Sequence, residues 1–363
     1  MKTNKIHILI ALFIISFSKI LAQKTTVSIV NDQFYINGKP TYQGSYWQNH
    51  KIEGLLMNSR MVQGVFDDLN SKISPEFNYL DTQKWDATRN NNEFVAAMPQ
   101  WKAHGLLAFT INMQGGSPYG YGNKKCINPG FHPDGKLMAP YMSRLDNILK
   151  NADKLNMVVI LGLFYFGQDQ YLIDENAVKN AVINMRNWIL KKGYKNVIIE
   201  IANECDHKDY DHAILRPDRI LELINLVKNK KKYGNRLLVS TSFTGRKVPI
   251  DQVIEASDFL LIHGNGAKNS ADIQTLIDNT KASKAYHTMP IINNEDDHYD
   301  FEKETNNMVV SIKNYVSWGY FDFRLKGETD INEGYQTIPV NWGISSPRKK
   351  AFFGKLKEIT ENN

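Results

Sequence analysis

Val197-Ile-Ile-Glu-Ile-Ala-Asn-Glu204 is an almost unbroken apolar run that ends abruptly in Asn203-Glu204. Its β-branched residues Val197, Ile198, Ile199 and Ile201 follow the helix-ending Gly193, and the run is too short for a free-standing helix. It therefore reads as a strand of a parallel sheet, covered on both faces. The carboxyl end of such a strand faces a cleft, and a carboxylate pushed out there lies in a low-dielectric setting that raises its pKa. Glu204 is thus a candidate general acid. A second run, Met289-Pro-Ile-Ile-Asn-Asn-Glu295, ends in the same way. Two carboxylates then face one cleft.

Working outward, the chain alternates strand and helix. Val27 to Val30 and Gln33 to Ile36 flank Asn31-Asp32, and Asn37-Gly38 follows, which predicts a small antiparallel hairpin at about 27–40 that could plug a barrel mouth. Thr41 to Tyr46 is the expected first barrel strand, and 47–90 a long excursion. Phe94, Met98 and Trp101 stripe a helix that leads through His104-Gly105 into strand two, Leu106 to Asn112. Pro140 starts the helix before strand three, Met157 to Phe166. Asp174 caps the next helix and Gly193 stops it before strand four. Leu237 to Ser242, Phe259 to His263, Pro290 to Glu295 and Tyr320 to Leu325 complete eight strands, and a terminal helix runs from Pro347 to Ile359. Helix-to-strand links are short, whereas strand-to-helix links such as 113–139 are long and rich in Gly, Pro and Tyr. That asymmetry predicts a (β/α)8 TIM barrel, an α/β fold with a short amino-terminal hairpin and long loops on its catalytic face. No Gly-rich dinucleotide fingerprint follows strand one, which disfavours a nucleotide-binding open sheet.

By this count Glu204 ends the fourth strand and Glu295 the seventh. Asn203-Glu204 after a hydrophobic strand, and Glu295 closing a Pro-Ile-Ile strand, resemble the two signature strands of the clan A glycoside hydrolases, the superfamily of the family-5 cellulases and mannanases. The resemblance implies a retaining hydrolase without a cofactor, with Glu204 as acid/base and Glu295 as nucleophile. Asn203 would bond the sugar 2-hydroxyl beside the cleaved bond. His263, ending strand six, matches a family-5 histidine; the aromatic residue expected near it is replaced by Asn265, which leaves the hydrogen-bond partner of Glu295 open. Arg60 resembles the early arginine that keeps the clan's nucleophile ionised. Among aromatic residues assigned to the same face (Tyr46, Trp47, Tyr119, Tyr121, Tyr165, Phe166 and Trp342), Trp47, Tyr165 and Trp342 are the expected sugar contacts.

Glu295 also opens an acidic cluster, Glu295-Asp296-Asp297-His298, which departs from the clan's pattern. Its extra carboxylates could grip sugar hydroxyls. Two rival readings stay open: a barrel that binds carbohydrate without cleaving it, and a metal-dependent hydrolase built on this cluster.

The 363 residues suffice for one barrel of about 250 residues plus its loops, so 23–363 reads as a single catalytic domain. Lys2 and Lys5 precede the apolar run Ile8 to Phe17, and Leu21-Ala22-Gln23 offers a small residue before a cut. Residues 1–22 therefore read as a signal peptide and the product as secreted or periplasmic; the apolar run is short of the roughly 18 residues that a membrane span needs. Losing three lysines with that segment lowers the formal charge from +6 to +3, too little to suggest nucleic acid or membrane partners. The expected partner is a carbohydrate substrate. Two cysteines, Cys126 and Cys205, make no disulfide framework, and buried free thiols are expected.

Overall fold

The structure, a computed structural model, describes residues 25–115, 118, 126–232 and 234–361. The expected signal peptide and the rings of Tyr119 and Tyr121 lie outside the described residues. Eight strands, β1 (Asn58–Arg60), β2 (Ala108–Asn112), β3 (Val158–Tyr165), β4 (Val197–Asn203), β5 (Leu238–Ser240), β6 (Leu260–His263), β7 (Ile291–Asp296) and β8 (Ser317–Phe321), form one sheet. All its pairings are parallel. A helix follows each strand: α1 (Ala87–Ala103), α2 (Ala139–Lys154), α3 (Glu175–Lys192), α4 (Ile220–Lys228), α5 (Asp251–Ala256), α6 (Ser270–Ala282), α7 (Asn307–Lys313) and α8 (Pro347–Glu361). The strand order β5-β4-β3-β2-β1-β8-β7-β6 curls the sheet until β5 and β6 meet. There the amide of Asp258 donates to the Val239 carbonyl at 3.0 Å in place of a full ladder. The fold is a (β/α)8 barrel.

Local chemistry explains the elements. β3 and β4 are buried at every position, as near-continuous β-branched and aliphatic runs require. The Asp86 carboxylate accepts the Thr88 and Arg89 amides at the start of α1, and Asp174 accepts the Ala177 amide at the start of α3. α3 stops at Gly193, whose φ of 82° suits glycine. A side chain is excluded at two strand glycines: a Cβ on Gly162 would sit 2.2 Å from Asn112 Oδ1, and one on Gly319 would sit 2.3 Å from Asn58 Oδ1. These positions make room for amide side chains inside the barrel.

The first strand is not where sequence reading put it. Thr41 to Tyr46 is mostly turn, with Tyr42 at φ 47° and Gly44 at φ 76°, and Tyr46–Trp47 pairs only with His50–Lys51. β1 is instead Asn58–Arg60, entered through Leu55, Leu56 and Met57, and it pairs with β2 and β8. Three polar residues conceal it in the sequence. β8 likewise begins at Ser317, upstream of the expected Tyr320.

The amino-terminal hairpin, Val27–Val30 with Gln33–Ile36, closes the lower mouth. Val27 and Phe34 pack in one apolar cluster with Leu56, Val158, Ile160, Ile198, Phe259, Leu261 and Ile292. Outside the strands, Phe94, Met98, Trp101, Leu145, Ile148 and Met185 join the main core.

Candidate active site

At the upper mouth, several strand ends converge. Arg60, fully buried at the end of β1, holds Glu295 of β7 in an ion pair, Nε to Oε2 at 2.9 Å. Its Nη2 donates to Asn203 Oδ1 at 2.9 Å. From β6, His263 Nδ1 lies 3.1 Å from Glu204 Oε1 and 3.6 Å from Glu295 Oε2. Asn265, two residues on, donates through Nδ2 to Glu295 Oε1 at 3.0 Å. The partner left open by the missing aromatic residue is therefore Asn265. Tyr165 ends β3 and is paired in register with Asn203, and Phe321 ends β8 with its ring centroid 6.0 Å from the Arg60 guanidinium. With Arg60 now on β1, Arg60, Tyr165, Asn203, Glu204, His263 and Glu295 form one constellation.

Successive strand residues point to opposite faces, yet Asn203 and Glu204 both reach the cleft. The chain achieves this by leaving the strand at Glu204, whose φ is 53°. A glutamate in the left-handed region is uncommon and needs external anchoring.

Burial pushes the carboxyls of Glu204 and Glu295 up to about 7, with the Arg60 charge working against that shift in both. Glu204 further raises Glu295. Glu295 receives the guanidinium and the Asn265 amide, so the pair favours an ionised Glu295 beside a protonated Glu204. Burial lowers the His263 pKa, which keeps the imidazole neutral between them. One oxygen from each carboxyl and a nitrogen of His263 all lie within 4.8 Å of one another. Such a group could hold a cation, but Arg60 already places a positive charge against Glu295.

The cluster after Glu295 belongs to the frame. Asp296 is fully buried and accepts from Asn293 Nδ2, both contacts of Asn307 Nδ2, Trp318 Nε1 and the amide and Nδ1 of His298, at 2.7–3.2 Å. His298 Nε2 donates to the Ala267 carbonyl at 2.8 Å. The carboxylate of Asp296 lifts the His298 pKa to about 9, so the ring is an imidazolium donating from both nitrogens. The expectation that the extra carboxylates grip sugar fails for Asp296, whose oxygens are already filled. Asp296, Asp297 and His298 do come together, but Glu295 points away from them to Arg60 and Asn265.

Two tryptophans are corrected. Trp47 precedes β1 and lies at the opposite end, its Nε1 donating to Glu358 Oε1 (3.2 Å) near the close of α8. Trp342 is buried against α1, its Nε1 donating to Asn90 Oδ1 (3.0 Å) and its ring 4.7 Å from that of Phe94. Tyr46, half exposed on the same small hairpin as Trp47, leaves the site with it. Cys126 and Cys205 are buried and are not joined in a disulfide.

Sequence reasoning placed Phe166 on this face but missed its partner beside Glu204, His207: the two rings stack with centroids 3.8 Å apart and 17° between planes. It also passed over Glu200, whose charge inside an apolar strand was the available signal, and Ser242 beneath Glu204. Among the described residues, Asn203 Nδ2, His263 Nε2 and both amide atoms of Asn112 are buried without a hydrogen-bond partner. Buried polar atoms of this kind are costly unless a polar group meets them.

No protein-family model matches the chain, and no curated protein matches it. Solved structures do. An endo-1,4-beta-mannanase from Rhizomucor miehei superposes with a TM-score of 0.58 at 12% identity, over 93% of this chain and 100% of that one. An endo-1,4-beta-mannanase from Eisenia fetida gives 0.53 at 14%, over 89% and 96%. A glycoside hydrolase family 5 enzyme from Prevotella bryantii B14 gives 0.51 at 12%, over 83% and 95%. At these identities the likeness is one of fold, and it agrees with the barrel derived above.

Proposed function

We propose that this chain is a retaining glycoside hydrolase of clan A type that cleaves glycosidic bonds in a polysaccharide or oligosaccharide. The observation that carries the reading is the buried glutamate pair at the ends of β4 and β7, with oxygens within 4.8 Å and the Arg60 charge on Glu295. A separation of about 5 Å suits direct attack, whereas inverting pairs stand about 6.5–9.5 Å apart to admit a water. In the first step a Glu295 oxygen attacks the anomeric carbon. The bond to the glycosidic oxygen breaks, and the Glu204 proton passes to that oxygen. In the second, the Glu204 carboxylate takes a proton from water as the water oxygen attacks the same carbon; the ester to Glu295 breaks and both groups return to their starting states. Asn203, held by Arg60, is placed for the 2-hydroxyl, where a bond tightens as positive charge develops. The unpartnered Nδ2 of Asn203 and the unpartnered amide of Asn112 suit a hydroxyl-rich ligand.

The structurally similar mannanases make β-mannan the first polymer to try, within a panel of β-glycans and of aryl β-glycosides and α-L-arabinosides. A 2-fluoro glycoside of the accepted sugar should add its glycosyl mass to the peptide carrying Glu295. In Glu204→Ala, azide should yield a glycosyl azide of retained configuration; in Glu295→Ala any rescue should be inverted. Binding of glycans without turnover would leave a sugar-binding barrel and sink the hydrolase reading. We further propose export with removal of 1–22; amino-terminal sequencing of the exported form should begin near Gln23.

A further inference from the structure

Beneath Glu204 lies a third buried glutamate, one that the reaction just described does not use. Glu200, fully buried in β4, accepts the Ser242 hydroxyl proton at Oε1, 2.6 Å away. The same hydroxyl accepts the Glu204 amide at 2.9 Å. Because Ser242 receives that amide, its own proton is directed to Glu200, and the three residues form a relay with one orientation. Ser242 is also tied through its backbone: its carbonyl accepts the Cys205 amide at 2.9 Å. The relay thus grips the chain where Glu204 turns left-handed at φ 53°. Other bonds hold the flanks, Tyr210 Oη to the Asn203 carbonyl (2.7 Å) and the His207 amide to the Glu204 carbonyl (2.8 Å). Among the hydrogen bonds that the described residues make to this turn, only the relay joins the Glu204 amide to a buried carboxyl group. Burying a carboxylate inside a strand is unfavourable by itself, so its placement calls for a return in function.

We propose that Glu200, acting through Ser242, is a positioning residue that holds Glu204 in the left-handed turn aiming its carboxyl at His263 and the leaving oxygen. The proposal rests on the hydrolase reading for its kinetics but not for its geometry. It is tested first by crystal structures of the full exported chain carrying Ser242→Ala. Glu204 should relax from positive φ and its carboxyl should part from His263, while the Arg60 to Glu295 contact stays. A turn unchanged in that variant overturns the proposal, whatever the enzyme cleaves. Kinetics supply the second arm. With Ser242→Ala, kcat on a glycoside with a poor leaving group should fall about 30-fold or more, since that bond needs acid catalysis worth about 10²–10⁴. The glycosylation rate on a dinitrophenyl glycoside should change less than about threefold, because its leaving group needs no proton. Equal losses on both substrates, with a lowered melting temperature, would mark a merely structural role. Glu200→Gln keeps an acceptor for the serine proton, so it should preserve the leaving-group dependence yet move the acid limb of the pH profile downward as a negative charge near Glu295 is removed. A Gln variant with the leaving-group pattern of Ser242→Ala and an unmoved limb contradicts the relay.

Discussion

Glu204 and Glu295 carry opposite demands in one small volume. In the proposed mechanism Glu295 must be ionised to attack and Glu204 protonated to assist departure, so activity would fall on the acid side through the first and on the alkaline side through the second. Burial raises both to about 7, and their coupling spreads them into two macroscopic steps. A bell centred on about pH 7 should appear in kcat/KM. Arg60→Leu removes the charge that favours ionised Glu295. Its acid limb should shift upward and kcat should drop about 10²–10³-fold, as for other lost electrostatic contacts of this rank. The same burial bears on stability. A carboxyl whose folded pKa is raised stabilises the fold below its unfolded pKa and loses that contribution as pH rises through about 7. Above pH 8, Glu204→Gln should therefore melt higher than the parent by an amount on the order of 2 kcal/mol, while at pH 4 the two should coincide. Calorimetry at both pH values checks this, and a variant that melts lower at pH 8 contradicts it.

At the scale of elements, the loop after β7 is pinned by a charge as well as by the buried ring of Phe301. The His298 imidazolium joins Asp296 to the Ala267 carbonyl, and Asp296 in turn holds Asn307 of α7 and Trp318 of β8. A histidine raised to about 9 contributes fully below its unfolded pKa near 6.5 and loses that contribution as pH rises through about 9. His298→Ala should cost about 1–3 kcal/mol at pH 6 and almost nothing at pH 10, read from urea unfolding at the two pH values. This latch was hidden in the sequence, where Asp296, Asp297 and His298 look like adjacent ligands; β7 runs on to Asp296, and strand alternation turns Glu295 one way and Asp296 the other. β4 and β7 were legible because consecutive aliphatic residues can be buried on both faces only in a central parallel strand. β1 was not, since Asn58-Ser59-Arg60 becomes a strand through its neighbours β2 and β8 and not through any propensity of its own. The misplacement carried Trp47 to the wrong end. Ring chemistry alone could not reveal it, because Trp47 and Trp342 each satisfy their indole N–H within the frame.

Over the whole molecule, chemistry and closure occupy opposite mouths of one barrel. The site sits where the strands end, and the hairpin floor sits where they begin, with Phe34 fully buried and its ring edge-on to Phe259 at 6.2 Å. Phe34→Ala should cost about 3–5 kcal/mol in unfolding free energy and leave the pH profile of the folded enzyme unchanged, since nothing in the carboxylate pair touches the floor. A shifted profile would show that the two ends are coupled. The floor has a further consequence for how the chain comes together in time. Residues 27 and 34 precede every barrel strand, yet the surface that receives them includes Phe259, Leu261 and Ile292, contributed by and around β6 and β7. A chain that emerges amino end first must carry its floor unseated past five strands, so sealing the barrel is a late step spanning most of the polypeptide, and no fragment ending before β6 can retain a fully docked hairpin.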